Sequence, residues 1–154
     1  MNIRTILLLP LTLALFACAS APVQPLKQPA ADQQGEVLVY RESAFVAGAV
    51  GLTVGVDGKA VAHIGNTDKV RLLLPAGPHS IFVQARSANP TQVTVQVAPG
   101  ASLCLRTGAN SNAYVKVIVP IALIATGYHF YLDEMPCPSA EELAKYKDIS
   151  VSYQ

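Results

Sequence analysis

The sequence predicts a mainly β fold in which short strands form a two-layer sandwich. From Glu36 onward, apolar and polar residues alternate along the chain, and this is the period of strands that bury one face. Turn-forming residues interrupt the alternation at short intervals. No ten-residue stretch keeps a helical period before the C-terminal segment. Together these three observations favour strands joined by short turns.

The alternation and its interruptions define the predicted strands, which are Val37–Arg41, Leu52–Val56, Lys59–Ile64, Val70–Leu74, His79–Gln84, Gln92–Val97, Ser102–Thr107, Tyr114–Val119 and Gly127–Asp133. Asp57-Gly58 supplies the positive φ angles of a tight hairpin turn. Pro75-Ala76-Gly77-Pro78 predicts a second hairpin or a corner, because the prolines fix φ and the glycine permits a reversal. About eight or nine short strands fit a β-sandwich of the immunoglobulin or transthyretin-like type.

The C-terminal segment predicts a short helix. Ser139-Ala140-Glu141-Glu142 is a capping box, in which the serine and the second glutamate can each bind an unpaired amide at a helix start. We expect a helix from about Ala140 to Lys147. The tail Ile149–Tyr153 alternates again and could add a final strand.

The apolar run Val117–Ala125 allows two interpretations. It could form two buried or edge strands broken at Pro120, which cannot donate to a β-ladder. Alternatively, it could be a patch that dips into a membrane or binds a partner. Nine residues are too few to span a bilayer as a helix.

The N-terminus has the features of a secretory leader. Arg4 is followed by the apolar run Ile6–Ala17, which is too short for a spanning helix but suits a signal-peptide core. Leu15-Phe16-Ala17-Cys18 resembles the bacterial lipobox, in which the cysteine receives a diacylglyceryl group before cleavage makes it the first residue. The resemblance implies that Cys18 is a lipid anchor. An ordinary signal peptide with a chance cysteine is the alternative.

The segment after the cysteine predicts a tether. Residues 18–35 are rich in Pro, Ala and Gln and have no periodicity, so we expect the lipidated Cys18 and an extended, mobile linker there. The predicted organisation is therefore a signal peptide at 1–17, this tether at 18–35 and a β-sandwich domain at 36–154. Ala19 and Ser20, with no Asp, resemble an outer-membrane address. In a Gram-negative bacterium this would place the domain on the periplasmic face of the outer membrane.

Charge excludes one class of partner. The formal net charge is +1, from 11 basic and 10 acidic residues. Because Lys and Arg form no block, the chain lacks the electrostatic footprint that nucleic-acid backbones require. The high hydrophobic fraction of 51% is partly due to the leader, and the remainder is ordinary for a globular domain.

The cysteines predict one disulfide. With Cys18 assigned to the lipid, Cys104 and Cys137 form an even pair in an exported protein. Alternation places Cys104 on the strand face opposite Leu103 and Leu105, outside the main core. A bond to Cys137 would pin the predicted helix to the sheet. The alternative is a reactive thiol pair, but the sequence has no Cys-x-x-Cys spacing.

No motif indicates catalysis, a cofactor or a metal. His63, His79 and His129 lie on separate predicted strands without ligand spacing. We expect each to be an ordinary surface or packing residue. Tyr40, Arg41 and Phe45 could form an exposed recognition patch. The alternative is an aromatic residue packed at the first strand.

Three segments resemble an uncharacterised bacterial lipoprotein domain family, a domain of unknown function. They are Glu36–Arg41, Val54–Lys59 and Leu73–His79, which match a strand ending in Tyr-Arg, a Val-Asp-Gly-Lys hairpin and a Leu-Pro-x-Gly-x-His turn. The resemblance covers about Glu36 to Val97 and departs from the pattern at Gly65–Lys69. It implies a β fold and identifies no catalytic residue.

These observations predict a lipid-anchored lipoprotein of the bacterial cell envelope. We expect a non-enzymatic binding or structural module whose partner is an envelope protein or the cell wall. An accessory lipoprotein of a secretion or pilus machine is the second hypothesis, and a docking loop would favour it. An envelope hydrolase or its inhibitor is the third. It would require His79 or His129 beside a serine and a carboxylate in a cleft.

Overall fold

The computed structural model describes residues 22–45, 47–86, 88–110 and 129–154. Within these ranges the chain forms two β-sheets and one short helix. The strands are β1 (Gln34–Arg41), β2 (Leu52–Val56), β3 (Lys59–Ile64), β4 (Asp68–Pro75), β5 (Gly77–Ala85), β6 (Thr91–Val97), β7 (Ser102–Ala109), β8 (Phe130–Met135) and β9 (Lys147–Ile149). Helix α1 (Ala140–Leu143) lies between β8 and β9, and a single 3₁₀ turn at Ala31–Gln33 precedes β1.

The strands form a β-sandwich, as the sequence predicts. Sheet I has the order β8-β7-β1-β4-β9 and sheet II the order β3-β2-β5-β6. The pairs β1–β7 and β4–β9 are parallel, whereas the other pairs are antiparallel. This order differs from the immunoglobulin constant type, which pairs its first two strands in one sheet. Here β1 and β2 lie in different sheets.

Two turns show how local sequence fixes the chain path. Asp57 and Gly58 have φ of 49° and 79°, and they join β2 to β3 in the predicted hairpin. The segment from Pro75 to Pro78 forms a corner, because β4 belongs to sheet I and β5 to sheet II. Gly77 has a φ of 135° at this corner, a conformation that favours glycine.

The core lies between the two sheets. Its fully buried members come from both, and the largest of them are Leu52, Ile64, Leu72, Leu74, Ile81 and Leu105. The close contact between β2 and the Phe82 ring depends on glycine at position 55, which has no side chain. A Cβ on Gly55 would lie 2.0 Å from the Phe82 ring, so only glycine lets that ring cross β2.

The two open sides of the sandwich are closed differently. On one side the Thr91 hydroxyl donates to the Phe130 carbonyl at 2.7 Å and joins β6 to β8. The opposite side is closed by the two ends of the described chain. There Leu26 and Tyr153 form a parallel bridge, and the Tyr153 hydroxyl accepts from the Leu73 N–H at 2.8 Å.

The sequence predicts a free tether as far as residue 35. This is wrong from Gln24 onward, because hydrogen bonds attach the segment to the domain. The Gln24 N–H donates to Ala60 in β3 at 2.7 Å. Three further backbone hydrogen bonds of 2.9 Å each join Leu26 and Gln28 to the C-terminal tail. Leu26 is only 8% exposed and belongs to the core. The pairing partners lie far away in sequence, so composition alone could not reveal them.

Helix α1 is shorter than predicted. The capping box is confirmed, since the Ser139 Oγ accepts from the Glu142 N–H at 3.2 Å and a Glu142 carboxylate oxygen accepts from the Ser139 N–H at 3.0 Å. The helix ends at Leu143 instead of Lys147. Lys147–Ile149 instead extends along β4 and adds β9 to sheet I. The tail thus contributes a strand, slightly earlier than the sequence predicts.

Some predicted features lie outside the described residues. These are the leader and Cys18, the strand Tyr114–Val119, the run Val117–Ala125 and the first two residues of the strand predicted at Gly127–Asp133. In the part of the chain that the structure describes, no helix is long and apolar enough to cross a bilayer.

Candidate functional site

An open groove lies at the end of the sandwich where β1 begins. Its volume is about 820 Å³, within the range of small-molecule and cofactor sites. The segment Leu26–Gln33 forms one wall, and the β2–β3 turn and the β4–β5 corner form the other. Pro29, Ala30 and Pro75 contribute accessible apolar surface, whereas Lys27, Asp32 and Lys59 contribute exposed charges. The groove can therefore contact both apolar and charged groups of a ligand.

His79 and Asp57 form a hydrogen-bonded pair in the wall of this groove. Asp57 is the first residue of the β2–β3 turn, and His79 follows the β4–β5 corner. The His79 Nδ1 lies 2.8 Å from Asp57 Oδ2. The other carboxylate oxygen of Asp57 accepts from the Ser80 N–H at 2.9 Å. The carboxylate thus joins the β2–β3 turn to β5.

The second ring nitrogen of His79 is also engaged. Nε2 lies 3.0 Å from the Pro75 carbonyl, and the side chain is only 11% exposed. Both partners of the ring are hydrogen-bond acceptors within the groove wall. The pair therefore holds the groove wall together.

The disulfide residues lie on the outer face of sheet I. The sulfur atoms of Cys104 and Cys137 are at disulfide distance, 2.02 Å, in agreement with the predicted pairing. Cys104 is buried in a small cluster separate from the main core, as the alternation predicts. The other members of this cluster are Leu38, Tyr40, Leu143 and Tyr146. The disulfide and these contacts fasten the α1 region to sheet I.

Lys69 attaches the same region from β4. Its ammonium group donates to the carbonyls of Leu143 and Tyr146 at 2.6 and 3.2 Å and lies 3.3 Å from an Asp148 carboxylate oxygen. Lys69 is only 7% exposed. It therefore binds the carbonyl of Leu143, the last residue of α1, which also accepts from the Tyr146 N–H at 3.1 Å, and the Tyr146 carbonyl beyond the helix.

A polar cluster crosses β1, β7 and β8 near Glu42. The Tyr131 hydroxyl donates to Glu42 at 2.7 Å, and Arg106 lies 3.5 Å from the same carboxylate. The Arg106 guanidinium also lies 5.4 Å from the centre of the Tyr131 ring. Burial, followed by the hydrogen bond to Glu42, raises the pKa of Tyr131 well above its usual range. The Tyr131 hydroxyl and the Arg106 guanidinium thus share the Glu42 carboxylate, although the buried Nε of Arg106 has no hydrogen-bond partner among the described residues.

An exposed recognition patch of Tyr40, Arg41 and Phe45 is wrong for two of its three residues, and the alternative, an aromatic residue packed at the first strand, is confirmed for Tyr40. Tyr40 is buried and packs edge-on against Tyr146, with ring centres 5.5 Å apart. Arg41 is completely buried, 5.3 Å from the Phe130 ring, and its burial lowers the pKa of the guanidinium. Only Phe45 is exposed, and it is fully exposed. Alternation could not predict the burial of Arg41, because its partners are loop carbonyls.

The remaining histidines show no site of their own. His63 Nδ1 lies 3.1 Å from the Thr53 hydroxyl across the β2–β3 pair, and His129 is exposed beside β8. Among the described residues, no group of three or more His, Cys, Asp or Glu side chains could hold a metal ion.

Comparison with known proteins adds no family assignment. No family model matches the chain, and no curated protein matches it.

The sequence contained no signal for the groove, because Asp57 and His79 are 22 residues apart and each lies at a turn.

Proposed function

We propose that this chain is a lipid-anchored binding module of the bacterial cell envelope, without enzymatic activity. The lipid is attached at Cys18, and the domain faces the periplasm from the outer membrane. The observation that carries the proposal is the position of the groove. One of its walls, Leu26–Gln33, begins eight residues after Cys18, so the anchored segment is itself part of the binding site. The partner is another envelope component, a protein or the cell wall.

The chemistry of the groove favours binding over hydrolysis. The structure does bring His79 beside a carboxylate in a groove, which is part of what a hydrolase requires. A hydrolase of this type also needs a nucleophile beside the base, and the described residues that line the groove include no Ser, Thr or Cys. The mixture of apolar surface and exposed charges suits recognition of a partner.

The anchor is tested by labelling with a fatty acid in cells. We expect the full chain to incorporate the label and to fractionate with membranes, and we expect Cys18→Ser to lose both properties. Thr94→Ser, at an exposed position on β6, is the control and should retain the label. Unchanged labelling and partitioning of the Cys18→Ser variant would refute the anchor.

The binding role is tested by site-specific photocrosslinking in cells. A photoreactive residue at Lys59, on the rim of the groove, should form a defined adduct with an envelope component. The same residue at Thr94, exposed on β6 outside the groove, serves as the control. Identical adducts from both positions, or none from Lys59, would contradict recognition through the groove.

A further inference from the structure

The loop after β1 presents an exposed aromatic residue within an uncharged segment. Phe45 is fully exposed. From Ser43 to Leu52 the sequence is S-A-F-V-A-G-A-V-G-L and contains no charged residue. We call the end of the sandwich that carries this loop and the turn Gly65–Thr67 the loop end. The groove lies at the other end, because β1 begins there at Gln34 and reaches the loop end at Arg41.

Phe45 is exposed in a loop that hydrogen bonds attach to the domain both before and after this residue. Before Phe45, the backbone of Ala44 is bound by the side chain of Asn66 through two hydrogen bonds. After Phe45, the guanidinium of Arg41 donates to the carbonyl of Ala47 at 2.7 Å and to that of Val50. The fold therefore places Phe45 outward at a fixed position.

The segment Gln24–Gln28, which follows the proposed anchor Cys18, has its N-terminal side directed toward the loop end. Residues Gln24–Gln28 run parallel to the C-terminal tail, which continues β9 along β4 toward the groove end. Followed backward from Gln28 to Gln24, the segment therefore runs toward the loop end. Gln24 is bound to Ala60 in β3, and the loop end begins just past Ile64, about 13 Å further along that strand.

The chain before Gln24 is long enough to cover this distance. Six residue steps separate Cys18 from Gln24, and an extended chain of that length spans at most about 21 Å. A lipid on Cys18 would therefore hold the bilayer surface within reach of the loop end. The short connection also prevents the domain from moving far from the membrane.

We propose that the loop end rests on the bilayer surface and that Phe45 enters the interfacial layer of the lipids. The inference rests on the proposed lipid anchor at Cys18. An uncharged loop with an outward aromatic residue suits the boundary between headgroups and acyl chains, where apolar side chains are buried. In this orientation the groove faces away from the membrane.

The test uses tryptophan as a depth probe, because the chain contains no tryptophan of its own. Phe45→Trp is introduced into the full lipidated chain, which is reconstituted into vesicles of phosphatidylethanolamine and phosphatidylglycerol with brominated acyl chains. The control is Pro99→Trp, an exposed turn position whose neighbour Gly100 binds Gln34 at the groove end. We expect several-fold stronger bromine quenching and a blue-shifted emission for Phe45→Trp only.

Equal, weak quenching of both variants in membrane-bound protein would overturn the inference. The loop end would then serve another purpose, such as a protein contact. A second measurement uses the unsubstituted chain and does not depend on either variant folding. Hydrogen exchange of residues 43–50 should slow several-fold in lipidated protein on vesicles relative to soluble Cys18→Ser protein, and unchanged exchange would also overturn the inference. Fatty-acid labelling, read separately, reports whether the anchor itself has failed.

Discussion

Asn66 binds both backbone polar groups of Ala44. Its Oδ1 accepts from the Ala44 N–H at 2.9 Å, and its Nδ2 donates to the Ala44 carbonyl at 3.3 Å. The side-chain amide of Asn66 thus pairs with the backbone of Ala44, 22 positions away, in the way that a neighbouring strand would. The loop before Phe45 depends on this contact because Ala44 lies beyond the last residue of β1.

Replacing Asn66 should loosen this loop. Asn66→Ala removes both hydrogen bonds and should lower the free energy of unfolding by about 1–2 kcal/mol, measured by urea denaturation. Hydrogen exchange should accelerate at residues 43–50. Asn66→Asp keeps an acceptor for the Ala44 N–H but replaces the donor with an oxygen that repels the Ala44 carbonyl, so it should also destabilise. Gln96→Ala, on the exposed face of β6, is the neutral control. Unchanged exchange in Asn66→Ala would refute this role.

Breaking the disulfide should destabilise the domain strongly. Cys104 and Cys137 are 33 residues apart in sequence, and in the chain-entropy model a crosslink over such a loop contributes about 3–4 kcal/mol. Cys104→Ala with Cys137→Ala should therefore lower the midpoint of thermal unfolding by more than 10 °C. Mass spectrometry of unreduced peptides should recover the two cysteines linked in the native protein. Free thiols in exported protein would contradict the pairing.

Lys69→Met should release the α1 region from sheet I. The substitution keeps the length and apolar contacts of the side chain but removes the ammonium donor from the Tyr146 carbonyl and one of two donors from the Leu143 carbonyl. We expect a loss of about 1–3 kcal/mol and faster exchange in residues 140–149. Lys145→Met changes an exposed lysine of the same region and should have little effect. Equal stability of the two variants would contradict the attachment.

Stability should fall above about pH 10, the ordinary pKa of tyrosine. Burial raises the pKa values of Tyr40, Tyr131 and Tyr146 in the folded protein. Above pH 10 the unfolded chain has lost these protons while the folded protein still binds them, so the free energy of unfolding decreases with pH. Below pH 10 both states bind them, and this contribution is constant.

Urea denaturation between pH 8 and 11 measures this slope, and tyrosinate absorbance follows the ionisation directly. Tyr131→Phe removes the tyrosine with the strongest shift and should flatten the slope. If the free energy of unfolding of this variant falls with pH as steeply as in the native protein, the pH dependence comes from other groups.

The sequence predicted those parts of the fold that depend on neighbouring residues. Leu52–Val56 and Lys59–Ile64 match the observed strands residue for residue, because alternation and Asp57-Gly58 are local signals. The pairing of Cys104 with Cys137 followed from parity and from the face that Cys104 occupies. The capping box located the start of α1 for the same reason.

What the sequence missed depends on distant partners. Whether Pro75–Pro78 makes a hairpin or a corner is decided by which sheet receives β5, and no nearby residue encodes that choice. Leu26 lies in a proline-rich segment, yet it is buried because its bridge partner Tyr153 comes from the other end of the chain. Lys69 donates to the Leu143 carbonyl from 74 positions away. The groove is formed by such contacts, so it could not be predicted.

The parallel bridge between Leu26 and Tyr153 also has a mechanical consequence. Because Gln24–Gln28 and the tail run in the same direction, tension applied at Cys18 would load their three backbone hydrogen bonds together, in shear. The domain should resist being unravelled from its N-terminus. Any force between a membrane-held lipid and a partner in the groove would pass through Leu26–Gln33, so pulling on the anchor would strain the binding surface itself.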